Sequence, residues 1–316
     1  MASSCAGGTC RSPARCGRAG GPRSSPARAA ERVAVPPLAR LPTHPAVERR
    51  RPIDPADSRD VALYDELPLW SALAGQLLLE HVTLASRRSV LDLGCGTGFP
   101  LLELAERLGR GAHVVGLDPW AGALARARSK IDRWCVPNAS IARGNGAAMP
   151  FEDGAFDLVV SNLGLNNFED AEGALRECRR VLQPGGILGL SSNLVGHMRE
   201  WYAAFARVLE AAGDRAGLER LRSHEAHRAT VPSLGARLEA AGFRVTLVRE
   251  CQAVMRFANA EALLEHHFIR MGFRPAWEEI AGEESLAAVA LELDRTAGES
   301  GLSLTVPLAY LEAVPA

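Results

Sequence analysis

Short apolar runs and longer amphipathic stretches follow one another along most of this sequence. Runs rich in valine, leucine and isoleucine are typical of strands buried on both faces of a parallel sheet. They predict strands at residues 90–93, 113–117, 156–163, 187–192, 243–248 and 302–311. Apolar residues at helical spacing predict helices at residues 101–108, 122–134, 171–182, 199–212 and 234–241. Strands that alternate with helices indicate an α/β fold with a mainly parallel sheet.

The first strand leads directly into a turn that has almost no side chains. Residues 90–99 read VLDLGCGTGF, so that Gly94, Gly96 and Gly98 follow the strand. Glycine accepts positive φ angles and lets the backbone approach a ligand closely. Ligands of open α/β sheets bind at the carboxyl ends of the strands. The turn therefore predicts a ligand-binding site.

An acidic residue stands where a nucleoside-binding unit needs one. Asp118 follows the second strand, twenty residues after Gly98, and a carboxylate there can accept hydrogen bonds from both hydroxyls of a ribose. A nicotinamide site usually has the spacing G-x-G-x-x-G and binds a pyrophosphate. Here the spacing is G-x-G-x-G, and Asp92 precedes it. A second carboxylate suits an ammonium or sulfonium group better than a pyrophosphate.

These features resemble the class I S-adenosylmethionine-dependent methyltransferases, in the small-molecule branch that holds the type 11, UbiE-like enzymes. The resemblance covers roughly residues 57–316 and is carried by DLGCGTG at 92–98, ARGNGAAMPF at 142–151, FDLVVSNL at 156–163 and ECRRVLQPGG at 177–186. It implies a Rossmann-like, doubly wound, seven-stranded sheet of order 3-2-1-4-5-7-6 with strand 7 antiparallel. It also implies S-adenosyl-L-methionine as the cofactor.

The resemblance assigns a set of residues near the strand ends to cofactor binding. They are Asp92, Gly94, Cys95, Gly96, Gly98, Asp118, Pro119, Asn145, Gly146 and Asn162. The family commonly has an acidic residue where Asn145 stands, in contact with the adenine amino group. The amide oxygen of Asn145 can accept the same hydrogen bond.

No motif marks a catalytic residue. The cofactor is already activated, so alignment and the exclusion of water can supply most of the catalysis. A base is needed only if the acceptor loses a proton as it attacks. His197 and Asn166 are the catalytic candidates, although an amide orients a substrate and is not a base. Asn167, Tyr64 and Trp70 are candidates for the substrate site or a lid, and the two aromatic residues fit an ordinary core equally well.

The connection between the last two predicted strands is unusually long. It spans residues 249–301 and contains helical patterns at 260–271 and 277–293. A structureless loop of that length is uncommon in a compact domain. Together with the helical segment at 60–82, it predicts a helical lid over the substrate pocket. The alternative is that its apolar residues only pack on the sheet.

The first 55 residues differ in composition from the rest. They are rich in alanine, glycine, proline and arginine and lack hydrophobic periodicity, which predicts a disordered extension. A methyltransferase domain is expected at residues 56–316, with a cofactor-binding core at 88–193. Residues 1–51 hold ten arginines and two acidic residues, which leaves a net charge near −9 on the remainder. An acidic domain argues against a nucleic-acid partner.

Composition also bears on the compartment. The seven cysteines form no metal-ligand or disulfide pattern, which favours a reducing compartment and no metal site. No apolar stretch is long enough to span a membrane. Lys130 is the only lysine among 36 basic residues, a bias typical of a genome rich in G and C. We expect a bacterial, cytoplasmic protein, although an arginine- and serine-rich start also fits an organelle transit peptide.

Taken together, these patterns predict an enzyme that transfers a methyl group from S-adenosylmethionine to a small-molecule acceptor by direct displacement. Residues 161–164 read SNLG, where methyltransferases of nucleobases or glutamine amides often carry an Asn/Asp-Pro-Pro-Tyr/Phe loop. Two other classes stay open. One is a spermidine-synthase-like aminopropyl transferase, and the other is a non-catalytic binding or assembly protein on the same fold.

Overall fold

Seven strands form a single sheet in the computed structural model, which describes residues 56–66 and 70–316. The strands are β1 (Ser89–Leu93), β2 (His113–Asp118), β3 (Ala139–Arg143), β4 (Phe156–Asn162), β5 (Leu182–Asn193), β6 (Phe243–Phe257) and β7 (Leu302–Pro315). Their order is β3-β2-β1-β4-β5-β7-β6. β7 runs antiparallel to both neighbours, and the other pairs are parallel. The predicted Rossmann-like sheet is confirmed. The predicted N-terminal extension, residues 1–55, lies outside the described residues.

Helices connect the strands and cover both faces of the sheet. They are α1 (Ser58–Glu66), α2 (Ser71–His81), α3 (Leu101–Leu108), α4 (Ala121–Trp134), α5 (Ala171–Val181), α6 (Arg199–Ala212), α7 (Arg215–Ala226), α8 (Val231–Ala240), α9 (Ala260–Glu265), α10 (His267–Gly272), α11 (Arg274–Ala281) and α12 (Glu283–Ala297). Successive side chains of a strand point to opposite faces. Accordingly, Val90 belongs to one buried apolar cluster and Leu91 to the other. Such burial on both faces explains why the central strands are almost continuously apolar.

The last two strands are longer than the sequence pattern predicts. β6 continues to Phe257 and pairs with β7 along its whole length, so the insertion between them spans residues 258–301 and not 249–301. β6 is an edge strand, and its residues 249–252 are exposed. A strand exposed on both faces shows no apolar alternation, and this is why the pattern stops at residue 248.

The insertion forms four helices, where the sequence predicts two. An extended backbone at His266 separates α9 from α10. Gly282, with a φ of +78°, separates α11 from α12. α7 is not predicted at all, because it buries only Gly217 and Leu221 and so lacks an apolar stripe.

Much of the insertion is part of the protein core. Trp277 of α11 is fully buried and stacks on Trp201 of α6, with ring centroids 4.5 Å apart. Val289 and Leu293 of α12 belong to the same buried cluster as the α6 side chains. α9 and α10 also bury Ala260, Leu263 and Ile269 in that cluster. The role of the insertion as a lid stays a prediction.

Candidate active site

The glycine turn after β1 is held against the end of β2. The amides of Gly94 and Cys95 donate to the carbonyl of Leu117, at 2.8 and 3.3 Å. Gly96 has a φ of +51°, and a Cβ built on it would meet no atom within 4 Å. A Cβ on Gly98 would meet Leu102 at 3.2 Å. Gly96 is thus the point of the turn that faces open space, where a ligand can approach the backbone.

Asp118 presents its carboxylate to the same turn. Its Oδ2 accepts from the amide of Gly96 at 2.9 Å, and its Oδ1 accepts from the amide of Trp120 at 2.8 Å. Burial raises the pKa of this carboxyl, and the two amides oppose that rise. Each oxygen keeps a free lone pair. The side chain is therefore fixed in place and can still accept two hydrogen bonds from a diol.

Asp92 lies behind the turn and not on its open side. Its carboxylate is fully buried, and neither oxygen has a hydrogen-bond partner. Burial raises its pKa to about 8. The nearby amide of Leu101 opposes that shift without forming a well-aligned bond, and the charge of Asp118 adds to it. Direct contact with a cationic ligand, as the sequence suggests, would require the turn to open.

The buried Asp92 predicts a pH-dependent stability. Between pH 4 and 8 the folded chain keeps a proton that the unfolded chain releases, so the free energy of unfolding falls as the pH rises, by up to about 1.4 kcal/mol per pH unit. Asp92→Asn removes this pH dependence of the free energy of unfolding, because an amide does not titrate. We expect its melting temperature, relative to wild type, to increase steadily from pH 5 to pH 8 in thermal unfolding. Asp132→Asn, at an exposed position of α4, is the control. Parallel pH profiles for wild type and Asp92→Asn would contradict the assignment.

A cavity of about 280 Å³ opens beside the turn. Residues 94–99 form its floor, and Tyr64, Ser71 and Asn162 are among the walls. Asp118 does not line it. The ring of Tyr64 packs edge-on against Trp120, with centroids 5.5 Å apart, and its pKa is raised by burial and by the charge of Asp118. α1 therefore closes the Asp118 end of the site.

Ion pairs fasten α1 to the turn. The ammonium of Lys130 pairs with Asp65 of α1 and donates to the carbonyl of Thr97 in the turn at 3.0 Å. Arg126 Nε contacts Asp65 Oδ2 at 2.8 Å. Burial acts to raise the pKa of Asp65, but the hydrogen bonds from Lys130 and Arg126 outweigh it and leave the pKa lowered. The only lysine of the chain thus joins three parts of the site.

Removing this lysine should loosen α1. Lys130→Met leaves Asp65 with one fewer cation in a mostly buried place, so we expect the amides of residues 58–66 to exchange about tenfold faster by mass spectrometry. Arg107→Met is the matched control, since Arg107 pairs with Glu103 in a more exposed i,i+4 bridge, which contributes little. Unchanged exchange in α1 would show that Lys130 does not hold it.

The predicted adenine contacts stand at the end of β3. The amide of Gly144 donates to the carbonyl of Asp118 at 3.2 Å, which places this loop beside β2. Asn145 is exposed, and its Oδ1 accepts from the amide of Ala147 at 2.9 Å. Gly146 is buried beneath it. The amide oxygen of Asn145 therefore caps its own turn, and only its second lone pair is left for a ligand.

The predicted amides after β4 serve different purposes. Asn162 lines the cavity and donates to the carbonyl of Ser71 at 3.0 Å, which ties β4 to the start of α2. Asn166 accepts from Ser192 at 2.9 Å, and Asn167 donates to the carbonyl of Leu163 at 3.0 Å. Asn166 and Asn167 thus hold the loop to its own strands, and neither lines the cavity.

Of the remaining predicted site residues, some contribute backbone atoms near the turn and others have side chains that pack in the core. The thiol of Cys95 is buried against β2, since a Cβ on Gly116 would come within 2.6 Å of it, and only the backbone of Cys95 follows the turn. The carbonyl of Pro119 accepts from Arg143 at 3.2 Å. Trp70 does not line the cavity, although Ser71 next to it does, and its ring packs on His197.

His197 follows β5 and is almost completely buried. Its ring forms a cluster of three with Trp70 and Phe273, at centroid distances of 4.1 and 5.5 Å, and those two rings lie 5.6 Å from each other. Neither nitrogen of His197 has a hydrogen-bond partner. Burial lowers its pKa to about 2, with smaller contributions from the charges of Arg228 and His224. The imidazole is therefore neutral.

Arg228, whose charge acts on His197, is a residue that the sequence analysis did not single out. It belongs to no motif, and it follows α7, a helix that the sequence pattern does not predict.

Within residues 56–66 and 70–316, no group of three histidine, cysteine or acidic side chains could hold a metal ion. In the same part of the chain, no helix is both long and apolar enough to cross a bilayer.

Comparison with known proteins finds a match to a family model in the central part of the chain. Residues 91–190 match the family model described as methyltransferase domain. A demethylmenaquinone methyltransferase of Lactococcus lactis is 42% identical over 98 residues, which are 31% of this chain and 39% of that protein. One from Lactiplantibacillus plantarum is 37% identical over 142 residues, 43% of this chain and 59% of that protein. The chain therefore matches less than two thirds of the length of these relatives.

A solved structure resembles this chain in its fold. A protein from Bacillus halodurans, described as a putative methyltransferase, superposes with a TM-score of 0.51 over 76% of this chain and 97% of its own. The two sequences are 19% identical, so this likeness concerns the fold alone.

Proposed function

We propose that this chain, whose residues 91–190 form a methyltransferase domain of the class I, S-adenosylmethionine-dependent type, transfers a methyl group to a small molecule by direct displacement. S-adenosyl-L-methionine is the cofactor of that class. The observation that carries the proposal is the pairing of Asp118 with the amide of Gly96, at the point where the turn faces open space. A fixed carboxylate beside an exposed backbone suits a ribose.

Each part of that cofactor can be assigned to residues around the glycine turn. Asp118 would accept the two ribose hydroxyls, and Gly96 would lie against the nucleoside. Asn145 and Gly146, beside Asp118 on the next loop, would border the adenine. Further contacts of the proposed site would come from Gly94, Gly98, Pro119 and Asn162 and from the backbone of Cys95. Asp92 would join them only if the turn opened, because its carboxylate is fully buried. When bound, the cofactor supplies a methyl group made reactive by its sulfonium.

Binding requires α1 to move and then to close again. Tyr64 and Trp120 pack together beside Asp118, so a nucleoside reaches that carboxylate only when Tyr64 shifts. The ion pairs of Asp65 with Lys130 and Arg126 would draw the helix back afterwards. A closed α1 excludes water from the reacting atoms.

His197 is the proposed base for an acceptor that must lose a proton. Its ring is neutral and neither nitrogen makes a hydrogen bond, but its pKa of about 2 makes it a weak base. It would take a proton only if a bound acceptor brought negative charge against the ring and raised that pKa. Asn166 is a weaker candidate, because its amide is engaged with Ser192. Since both reported relatives are bacterial, we expect the reaction to take place in a bacterial cytoplasm.

Incubation with methyl-labelled S-adenosylmethionine and a bacterial metabolite extract tests the proposal. We expect label in a small-molecule product, with an equal amount of S-adenosylhomocysteine. Tight cofactor binding without labelled product from any extract would favour a non-catalytic binding protein. Transfer of an aminopropyl group from the decarboxylated cofactor would favour the aminopropyl transferase. Either result would overturn methyl transfer.

A further inference from the structure

The second half of β6 forms an open edge of the sheet. β6 is the last strand in the sheet order, so within the part of the chain that the structure describes its outer side pairs with no strand. Residues 249–252 are exposed, and so are Val254 and Arg256. The backbone N–H and C=O groups of an exposed edge are a template for pairing with a further strand. This edge is therefore able to extend the sheet.

The backbone of this half of the strand does not obstruct such pairing. Proteins often protect an edge with a bulge or a proline. The register between β6 and β7 is irregular at Val245 and Leu247, in the first half of the strand. From Leu247 to Phe257 the register is regular, and residues 249–257 contain neither proline nor glycine. A second strand can therefore lie along residues 249–257 without a break.

Charged side chains on this half select the partner that the edge accepts. Glu250 and Arg256 are both exposed, and neither forms an ion pair with another described residue. An even number of residues separates them, so their side chains lie on the same face of the strand. If two copies of the strand pair in antiparallel fashion about a two-fold axis at residue 253, each Glu250 lies opposite an Arg256. Opposite charges in such cross-strand pairs attract each other.

The other residues of the segment fit the same register. The axis falls on Ala253, the smallest side chain of residues 249–257, where the two copies would face each other. The remaining pairs never oppose like charges, and they are Arg249 with Phe257, Cys251 with Met255, and Gln252 with Val254. An axis at residue 249 or 250 would instead oppose two arginines or two glutamates, which destabilises a strand pair. The charge pattern is thus complementary to itself, and it favours a second copy over an unrelated extended peptide.

We propose that residues 249–257 of β6 are a dimerisation surface, and that they pair with the same residues of a second copy of this chain. Two such segments would exchange about nine backbone hydrogen bonds, close to the ten or so of a typical protein–protein interface. The strand pair alone buries less area than a standard interface, so we expect a dissociation constant on the order of 10 µM. The inference does not rest on methyl transfer, because β6 lies four strands away from β1, which leads into the glycine turn.

Sedimentation velocity of the full chain, from about 1 to about 200 µM, measures the assembly. We expect the monomer at the lowest concentration and mostly the dimer at the highest. Hydrogen exchange, followed by mass spectrometry at both ends of this range, locates the contact. Amides of residues 249–257 should exchange more slowly at the high concentration. Those of β3, the strand at the opposite edge of the sheet, should exchange at the same rate.

Two charge reversals test the register of the pair. Glu250→Arg sets two positive side chains opposite each other, and Arg256→Glu sets two negative ones, so each should weaken dimerisation at least about tenfold. An equimolar mixture of the two variants brings opposite charges together at both places and should restore the dimer. Glu106→Arg, at an exposed position of α3, makes the same reversal elsewhere and should dimerise like wild type.

Several results would overturn the inference. A chain that stays monomeric at about 200 µM has no such contact, and a monomer with residues 249–257 already protected would show that another segment of this chain covers the edge. A dimer that neither reversal weakens joins the molecules elsewhere. Weakened dimers that the mixture does not restore would exclude the pairing of Glu250 with Arg256. Circular dichroism verifies that the variants fold, which their exposed positions lead us to expect.

Discussion

Gly96→Val is expected to abolish measurable binding of S-adenosylmethionine, with a loss of at least about 1,000-fold, or about 4 kcal/mol. The φ of Gly96 is +51°, and its missing Cβ points into open space beside the turn. A valine there places two methyl groups where the nucleoside would lie. It also disfavours the backbone conformation that directs the Gly96 amide at Asp118. Isothermal titration calorimetry measures the loss.

Gly185→Val is the matched control for this variant. Gly185 has a φ of +80°, and a Cβ built on it also meets nothing within 4 Å, but it lies exposed near the start of β5, at the opposite end of the sheet. It should lose a similar amount of stability and keep its affinity for the cofactor. Normal binding by a folded Gly96→Val protein would move the nucleoside away from the turn.

Asp118→Ala is expected to weaken the same binding by about 2–4 kcal/mol, which is roughly 30- to 1,000-fold. The variant removes both acceptors proposed for the ribose hydroxyls and frees the amides of Gly96 and Trp120. Asp118→Asn keeps one acceptor oxygen and should lose less. The difference between the two variants isolates the charge-assisted part of the interaction.

Asp132→Ala removes an exposed carboxylate from α4 and should leave the calorimetric affinity unchanged. If Asp118→Ala also bound with wild-type affinity, Asp118 would have no place in the cofactor site. A folded protein with intact sheet must be verified by circular dichroism, because the freed amides belong to the glycine turn.

The central sheet and the glycine turn could be predicted because their signals are local. A buried parallel strand is a short apolar run, and a turn that a ligand approaches needs glycine. Each of these two signals lies in residues that are adjacent in sequence. The strand order came from the family resemblance. By contrast, β6 lies at an edge, and its residues 249–252 are all exposed, so the alternation breaks there before it resumes at residues 253–257. The second half of the strand could therefore not be joined to the first.

The walls of the site could not be predicted for a different reason. Lys130 lies 65 residues from Asp65 in sequence, and Arg228 lies 31 residues from His197. Such pairs have no spacing rule, since only the packing of separate elements brings them together. The burial of Asp92 behind the turn is likewise a property of the assembled sheet. Sequence proximity to the glycines could not reveal it.

A crystal structure of the full chain with S-adenosylhomocysteine tests the central claim most directly. We predict the nucleoside beside Gly96, with both ribose hydroxyls about 2.6–3.2 Å from the carboxylate oxygens of Asp118 and Tyr64 displaced from its place against Trp120. A ligand bound elsewhere on the sheet, or a ribose with no contact to Asp118, would contradict the account.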